Sequence, residues 1–129
     1  MTSFVAPLIF LPGHPPTANQ LQRMHYIDRG LSRQQWSKDV WTASLEAGWK
    51  DARLTPVRLH IEFVYNVERR RDFDNMVAGL KGAIDGLVVA GVIPDDSIDH
   101  LRGIDLSVKV NRKAAPGINL WVERLEAAA

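Results

Sequence analysis

The residues between positions 57 and 65 alternate between apolar side chains and more polar ones. The apolar set is Val57, Leu59, Ile61, Phe63 and Tyr65, and the intervening set is Arg58, His60, Glu62 and Val64. Because successive side chains of a strand point to opposite faces of a sheet, a period of two predicts a strand with one buried face. This strand is the feature around which the rest of the fold is predicted.

Two elements are predicted before this strand. The apolar run over residues 4–11, ended by a Pro-Gly step, predicts a buried strand. Residues 21–30 show no clear periodicity and predict a loop. Ser32 and Gln35 then match a capping box, which predicts a helix over residues 32–49.

The remaining elements follow the alternating strand. Apolar residues at helical spacing predict a helix over about residues 75–90, ended by Gly91 and Pro94. Residues 98–110 and 118–122 predict two further strands, joined by a hairpin loop. The predicted order is β-α-β-α-β-β, which is an α+β fold with a small mixed sheet packed with two helices.

Length and composition restrict the class of protein. A chain of 129 residues is the size of one domain, so a single domain over residues 1–129 is predicted. The net charge is only +1, so affinity for a polyanion must come from local patches. The absence of cysteine excludes disulfides and thiolate metal sites, and no apolar run is long enough for a membrane span. We expect a cytoplasmic protein with no membrane partner.

Acidic residues are concentrated at two places. Asp72 and Asp74 lie one residue apart where the alternating strand gives way to a helix, and Asp95-Asp96 closes the segment that begins there. In an extended segment residues i and i+2 point to the same side, so the first pair can present both carboxylates to one point. Carboxylate oxygens are the ligands that Mg²⁺ prefers. The pattern predicts a metal site if the folded chain brings Asp96 close to Asp72 and Asp74.

Each of these features also has a purely structural interpretation. Asp72 and Asp74 could cap a helix, and Asp95-Asp96 could simply form a turn. The triplet of arginines at 69–71 could be a solvated loop. Lys81 could reach back to the acidic site or only pair with Asp85 at i+4. The sequence leaves these alternatives open, and their occurrence together favours the functional interpretation.

Several stretches of this chain resemble one family. They are Arg69-Arg70-Arg71-Asp72-Phe73-Asp74-Asn75, Lys81, Asp85-Gly86-Leu87, Ala90-Gly91-Val92-Ile93-Pro94-Asp95-Asp96 and Pro15-Pro16-Thr17-Ala18-Asn19. Together they resemble the RusA family of Holliday junction resolvases, and the resemblance spans nearly the whole chain. It also fits a prophage origin, because many phage-borne relatives look similar.

The resemblance implies a homodimeric, Mg²⁺-dependent endodeoxyribonuclease that resolves four-way junction DNA during recombination and repair. By motif, the metal ligands and catalytic acids are Asp72, Asp74 and Asp96, and the catalytic lysine is Lys81. Mn²⁺ is expected to substitute for Mg²⁺. This chain carries about three residues more than the bacterial type member before that lysine. Three residues are nearly one helical turn, so Lys81 stays on roughly the same face of the helix.

The same reasoning assigns roles to the neighbouring residues. We expect Arg69, Arg70, Arg71 and Asn75 to bind DNA, with the arginines contacting the phosphate backbone and Arg23, Arg29 and Lys113 assisting. Such contacts position a substrate without reading its sequence. Asp95 and Asp85 are expected to support the metal-binding groups. The alternatives are a non-catalytic branched-DNA-binding protein, a metal nuclease for other branched DNA, and a structural protein.

Overall fold

The computed structural model describes residues 4–5 and 9–125 of the chain. In chain order the elements are β1 (Phe4–Val5), β2 (Ile9–Pro12), α1 (Ala18–Arg23), α2 (Tyr26–Glu46), β3 (Val57–Tyr65), α3 (Phe73–Val77), α4 (Lys81–Val89), β4 (Leu101–Val110) and β5 (Gly117–Arg124). None of the described helices is long and apolar enough to cross a membrane.

The sheet is centred on β3, the strand predicted from alternation. β4 pairs with β3 in parallel and β5 pairs with it antiparallel, so that Ile61 lies opposite Leu106 on one side and Leu120 on the other. β1 and β2 pair antiparallel with β5, which gives a five-stranded mixed sheet. The predicted α+β fold class is therefore confirmed.

The hairpin predicted between the last two strands is wrong. β4 and β5 are consecutive in the chain, but β3 lies between them in the sheet. The loop at 111–116 instead crosses the end of β3, where the amide of Asn111 donates to the carbonyl of Tyr65 at 2.9 Å. β5 pairs antiparallel with the opposite edge of β3 and not with β4, which leaves β4 at the edge of the sheet.

The buried face of β3 forms the centre of the core, as the alternation predicted. Val57, Leu59, Ile61 and Phe63 are all at most 1% exposed. They pack in one cluster with residues of the helices and of β5, including Leu80, Ala83, Leu87, Ile118, Leu120 and Val122. Each fully buried side chain of this size stabilises the fold by about 1.5–3 kcal/mol, so this cluster is the main stabilising unit.

The loop predicted at 21–30 is helical instead. Thr17 and Gln20 form a capping box that begins α1, and the side chain of His25 accepts from the amide of Ile27 to begin α2. α2 therefore starts ahead of the predicted cap at Ser32, and it ends at Glu46. The spacing of apolar residues did not indicate the start of this helix, because its only buried residues, Val40 and Ser44, lie in its second half.

The single helix predicted over residues 75–90 is two helices. α3 ends at Val77 and α4 begins at Lys81. The turn between them passes so close to the N-terminal loop that a Cβ at Gly79 would overlap the backbone oxygen of Pro16. The break therefore lies where the close approach of the two backbones requires glycine, a residue that also disfavours helix.

The first and fourth strands also differ in extent from their predictions. The strand predicted over residues 4–11 is observed as β1 and β2, and residues 6–8 lie outside the described part of the chain. The strand predicted over residues 98–110 begins at Leu101, because residues 98–100 belong to the turn in which the amide of Leu101 donates to the carbonyl of Ser97.

Helices α2 and α4 pack at short range. A Cβ at Gly82 would lie 2.7 Å from the carbonyl oxygen of Arg33, and one at Gly86 would lie 2.5 Å from that of Ser37. Glycine at these two positions lets the helix backbones approach, which larger residues would prevent. This contact sets α4 in place beside α2 and with it the first residue of α4, Lys81.

The segment after α4 turns back on itself. The amides of Asp51 and Leu54 donate to the carbonyls of Ala90 and Val92 at 2.9 and 2.8 Å, which fixes this segment against the chain before β3. Val92 and Ile93 are at most 1% exposed and anchor it in the core. Its direction decides where Asp96 lies.

Candidate metal and nucleic-acid site

The first acidic pair lies at the start of α3. Asp72 is the residue before this helix and has extended backbone dihedrals, φ −93° and ψ 131°, and within the described chain its side chain makes no capping hydrogen bond. Asp74 lies in the first turn, and its Oδ1 accepts from the amide of Asn75 at 3.0 Å. Helix capping therefore does not account for the carboxylate of Asp72.

The second acidic pair is brought back to the beginning of α4. Lys81 Nζ donates to Asp96 Oδ2 at 2.8 Å, although the two residues are 15 apart in sequence. The same ammonium lies 3.2 Å from Asp85 Oδ1, and Arg33 Nε donates to Asp85 Oδ2 at 2.7 Å. Four charges of alternating sign thus form a chain from Arg33 through Asp85 and Lys81 to Asp96. The metal-site prediction requires the loop after α4 to fold back. The contact with Lys81 shows that this loop brings Asp96 back to the start of α4.

These contacts shift the pKa values of Asp96 and Lys81. The hydrogen bond from Lys81 holds the pKa of Asp96 below its usual value. Hydrogen bonds to Asp96 and then to Asp85 raise the pKa of Lys81. At neutral pH both groups are therefore charged, which suits a lysine placed to stabilise negative charge.

The donor set can be compared with what a divalent ion requires. Three carboxylates offer the hard oxygen atoms that Mg²⁺ takes, so the chemistry of Asp72, Asp74 and Asp96 fits this ion. Within residues 4–5 and 9–125, however, no three His, Cys, Asp or Glu side chains lie close enough together to hold a metal. Asp72 Oδ1 pairs instead with the guanidinium of Arg70 at 3.2 Å. The shared three-aspartate site stays a prediction.

The remaining acids take supporting positions. Asp95 Oδ1 accepts from the amide of Asp96 at 2.8 Å and so fixes the turn that carries it. Asp85 is bound by both Lys81 and Arg33 and links the end of the loop to α2. Both acids therefore act on the position of Asp96 through hydrogen bonds and charge.

The three arginines differ in what they contact. Arg71 donates to the carbonyls of Val67 and Arg69 at 2.8 and 3.0 Å, and its guanidinium lies 3.5 Å from the centre of the Tyr65 ring. Arg69 and Arg70 are exposed. Arg71 therefore closes the loop after β3, while the other two present their charge to solvent.

A cleft of about 460 Å³ joins this loop to Asp72. It is lined by all three arginines together with Asp72, Asn75 and Tyr65, among others. Asn75 also connects the cleft to the N-terminal loop, because its Oδ1 accepts from the amide of Asn19 at 3.1 Å. The Pro-Pro-Thr-Ala-Asn stretch and the Asp-Phe-Asp-Asn stretch thus meet in space.

Sequence reasoning missed two members of this region. His14 stacks on Tyr65 with ring centres 4.2 Å apart, and its Nε2 lies 2.7 Å from the carbonyl oxygen of Val64. Arg33 binds Asp85 across 52 positions of sequence. No local pattern signals either contact, because both depend on distant segments meeting.

No protein-family model matches this chain, and none of the curated proteins matches it either.

Proposed function

We propose that this protein is a Mg²⁺-dependent, structure-specific endodeoxyribonuclease that resolves Holliday junctions by hydrolysing phosphodiester bonds of four-way junction DNA. The observation that carries the proposal is the 2.8 Å contact between Lys81 and Asp96. It joins the lysine and the last acid of the motif at the start of α4, and α3 with Asp72 and Asp74 directly precedes that helix.

In this proposal Asp72, Asp74 and Asp96 would hold the ion, which would supply an activated water and neutralise charge on the phosphate oxygens. Lys81 remains protonated because its pKa is raised by its acidic partners. Its ammonium adds electrostatic stabilisation of the charge that develops on the phosphate. In this proposal the protein contributes the ammonium of Lys81 and the carboxylates of Asp72, Asp74 and Asp96.

The surface beside the acids supports binding of a polyanion. Arg69 and Arg70 extend into solvent from the loop that Arg71 closes, and Arg70 also lies 3.2 Å from Asp72. Arginine on the phosphate backbone positions DNA without reading its sequence. A homodimer would present two such sites, related by a two-fold axis, to the two-fold symmetric junction.

A second candidate is a branched-DNA-binding protein without catalysis. It is favoured by the ion pairs of Asp96 and Asp72 with Lys81 and Arg70, which satisfy both acids without a metal. The two candidates share the DNA-binding surface and differ only in chemistry.

The decisive experiment uses Asp74→Asn on a labelled four-way junction, with Asp39→Asn as the matched control because Asp39 is an exposed acid on α2. We expect Mg²⁺-dependent nicking by the wild type and the control. The Asp74→Asn variant should bind the junction in gel shifts but fail to cut it. Full activity of that variant would contradict the three-aspartate site. Binding without nicking by the wild type would select the second candidate, and a panel of flaps and three-way junctions identifies a nuclease of other specificity.

A further inference from the structure

β4 forms one edge of the sheet, and the outer side of this strand is open. It runs from Leu101 to Val110 and pairs with β3 on one side only. In the part of the chain that the structure describes, no strand lies along its other side. A long strand at a sheet edge presents a row of unpaired N–H and C=O groups, which is a template for pairing with a further strand. The proposed function assigns this edge no role.

The side chains of β4 divide between the two faces of the sheet. Four apolar residues lie on the face that carries the helices, because their partners in β3 belong to its core-facing side: Ile104, Leu106, Val108 and Val110. The residues between them, Asp105, Ser107 and Lys109, lie on the opposite face and are all exposed. Although they lie on the helix side, Val108 and Val110 are 45% and 41% exposed. The core therefore stops short of the last apolar residues of this strand.

The charges of β4 are complementary to themselves when two copies of the strand run antiparallel. In a two-fold pairing centred on Ser107, Asp105 of each copy lies opposite Lys109 of the other. Opposite charges on directly facing residues stabilise a strand pair, and like charges destabilise it. A pairing centred on Leu106 sets Asp105 opposite Ser107 and loses both charge pairs, and one centred on Asp105 opposes two carboxylates. A lysine on an edge strand ordinarily discourages pairing, but here Asp105 supplies its complement.

The same register completes the apolar face. Leu106 lies opposite Val108 of the other copy, and Ile104 lies opposite Val110. Ile104 and Leu106 already pack against the core. The exposed valines of each copy would therefore be covered by the margin of the partner's core. A shift of one residue would set these apolar side chains opposite the charged ones, so the pairing has one favoured register.

We propose that this edge binds a second copy of the chain, with the two β4 strands paired antiparallel about Ser107 in one continuous sheet. The inference rests on the proposed function only in that it names the interface of the homodimer. Backbone hydrogen bonds supply the affinity of such a strand pair, and its side chains supply the specificity. The interface is self-complementary, as a two-fold axis requires. Because β3 is parallel to β4, the basic loops that follow the two β3 strands lie toward opposite ends of the common sheet.

Cross-linking tests the position of the two-fold axis. The chain has no cysteine, so Ser107→Cys introduces a single thiol. Directly opposite residues of antiparallel strands have Cα atoms about 4.5–5.5 Å apart, which a disulfide can span. We expect Ser107→Cys to form a disulfide-linked dimer under mild oxidation, seen on a non-reducing gel. Thr42→Cys is the matched control, because Thr42 is an exposed hydroxyl-bearing residue of α2, and it should remain monomeric on the gel.

An exchange of charges tests the register without cysteine. Sedimentation equilibrium measures the dissociation constant of the dimer. Asp105→Lys sets lysine against Lys109 at two symmetry-related places, and it should raise this constant by about tenfold or more. The double variant Asp105→Lys, Lys109→Asp should restore the wild-type value. Asp39→Lys is the matched control, because it makes the same change of net charge at an exposed position of α2, and it should leave the constant unchanged.

The outcomes separate this interface from the proposed function, because nicking of a four-way junction is assayed in parallel. If the wild type is a dimer that nicks junctions, but Ser107→Cys cross-links no faster than Thr42→Cys, the edge interface is refuted and the nuclease stands. A dissociation constant that Asp105→Lys leaves unchanged refutes it equally. A wild type that stays monomeric refutes a second copy as the occupant of this edge. If the cross-link forms and the charge exchange restores the dimer, but the wild type nicks no junction, the interface stands and the proposed function fails.

Discussion

Replacing Gly86 with alanine tests the contact between α2 and α4 that holds Asp85 and Lys81 beside Arg33. An alanine Cβ would lie 2.5 Å from the carbonyl oxygen of Ser37 and 2.8 Å from a Val40 carbon. Both distances are shorter than atoms of these types tolerate, and the first neighbour is backbone, which cannot rotate away. The two helices would have to separate.

Two effects of opposite sign set the magnitude. Overpacking a close contact costs about 1–3 kcal/mol, and we take about 3 kcal/mol because the obstacle is backbone. Alanine in place of glycine stabilises a helix by about 1 kcal/mol, so the net loss is about 2 kcal/mol. An unfolding entropy of about 2.1 cal/mol/K per residue then lowers Tm by about 7 °C for this chain of 129 residues.

Gly30 provides the matched control within the same helix pair. A Cβ at this position in α2 would meet nothing within 4 Å. Gly30→Ala should therefore show only the gain in helix propensity, about 1 kcal/mol, which raises Tm by about 4 °C. Thermal unfolding followed by circular dichroism measures both. A Gly86→Ala variant that gains stability like Gly30→Ala would refute the close packing of α2 on α4.

Three further predictions concern the site. Lys81→Gln should lower junction cleavage by about 10²–10³-fold while leaving the Tm close to that of the wild type, because an exposed ion pair contributes little to folding; a cleavage rate near that of the wild type would remove this lysine from the mechanism. The lowered pKa of Asp96 and the raised pKa of Lys81 mean that their pair stabilises the fold above the ordinary carboxyl pKa and below the ordinary lysine pKa. Because the pair is exposed, its contribution is small. The urea midpoints of the wild type and Asp96→Asn should therefore differ slightly between those limits, and converge as the pH falls through the lowered pKa of Asp96 or rises through the raised pKa of Lys81. A difference that stays the same at every pH would contradict this. Arg71→Gln should speed amide hydrogen exchange over residues 66–71, because it removes two hydrogen bonds that close the loop. Arg69→Gln should not change this exchange. Equal exchange rates in the two variants would show that the loop does not depend on Arg71.

The elements predicted correctly from the sequence are those whose order of apolar and polar residues follows directly from local backbone geometry. β3 occupies residues 57–65, as its alternation predicted, because the pleat itself sorts its side chains between two faces. β5 contains the predicted strand over residues 118–122 for the same reason. The predicted start of α2 lies too far along the chain, since the first half of the helix buries no residue and so shows no helical spacing of apolar residues.

The amino-acid sequence by itself determined the buried face of β3, the basic loop and the acids that follow it, because these depend on neighbouring residues only. Tertiary structure decided which strand lies beside β3, and that Lys81 meets Asp96 while Arg33 meets Asp85. Such contacts join distant segments, and their geometry is set by how the whole core packs, which no local periodicity encodes.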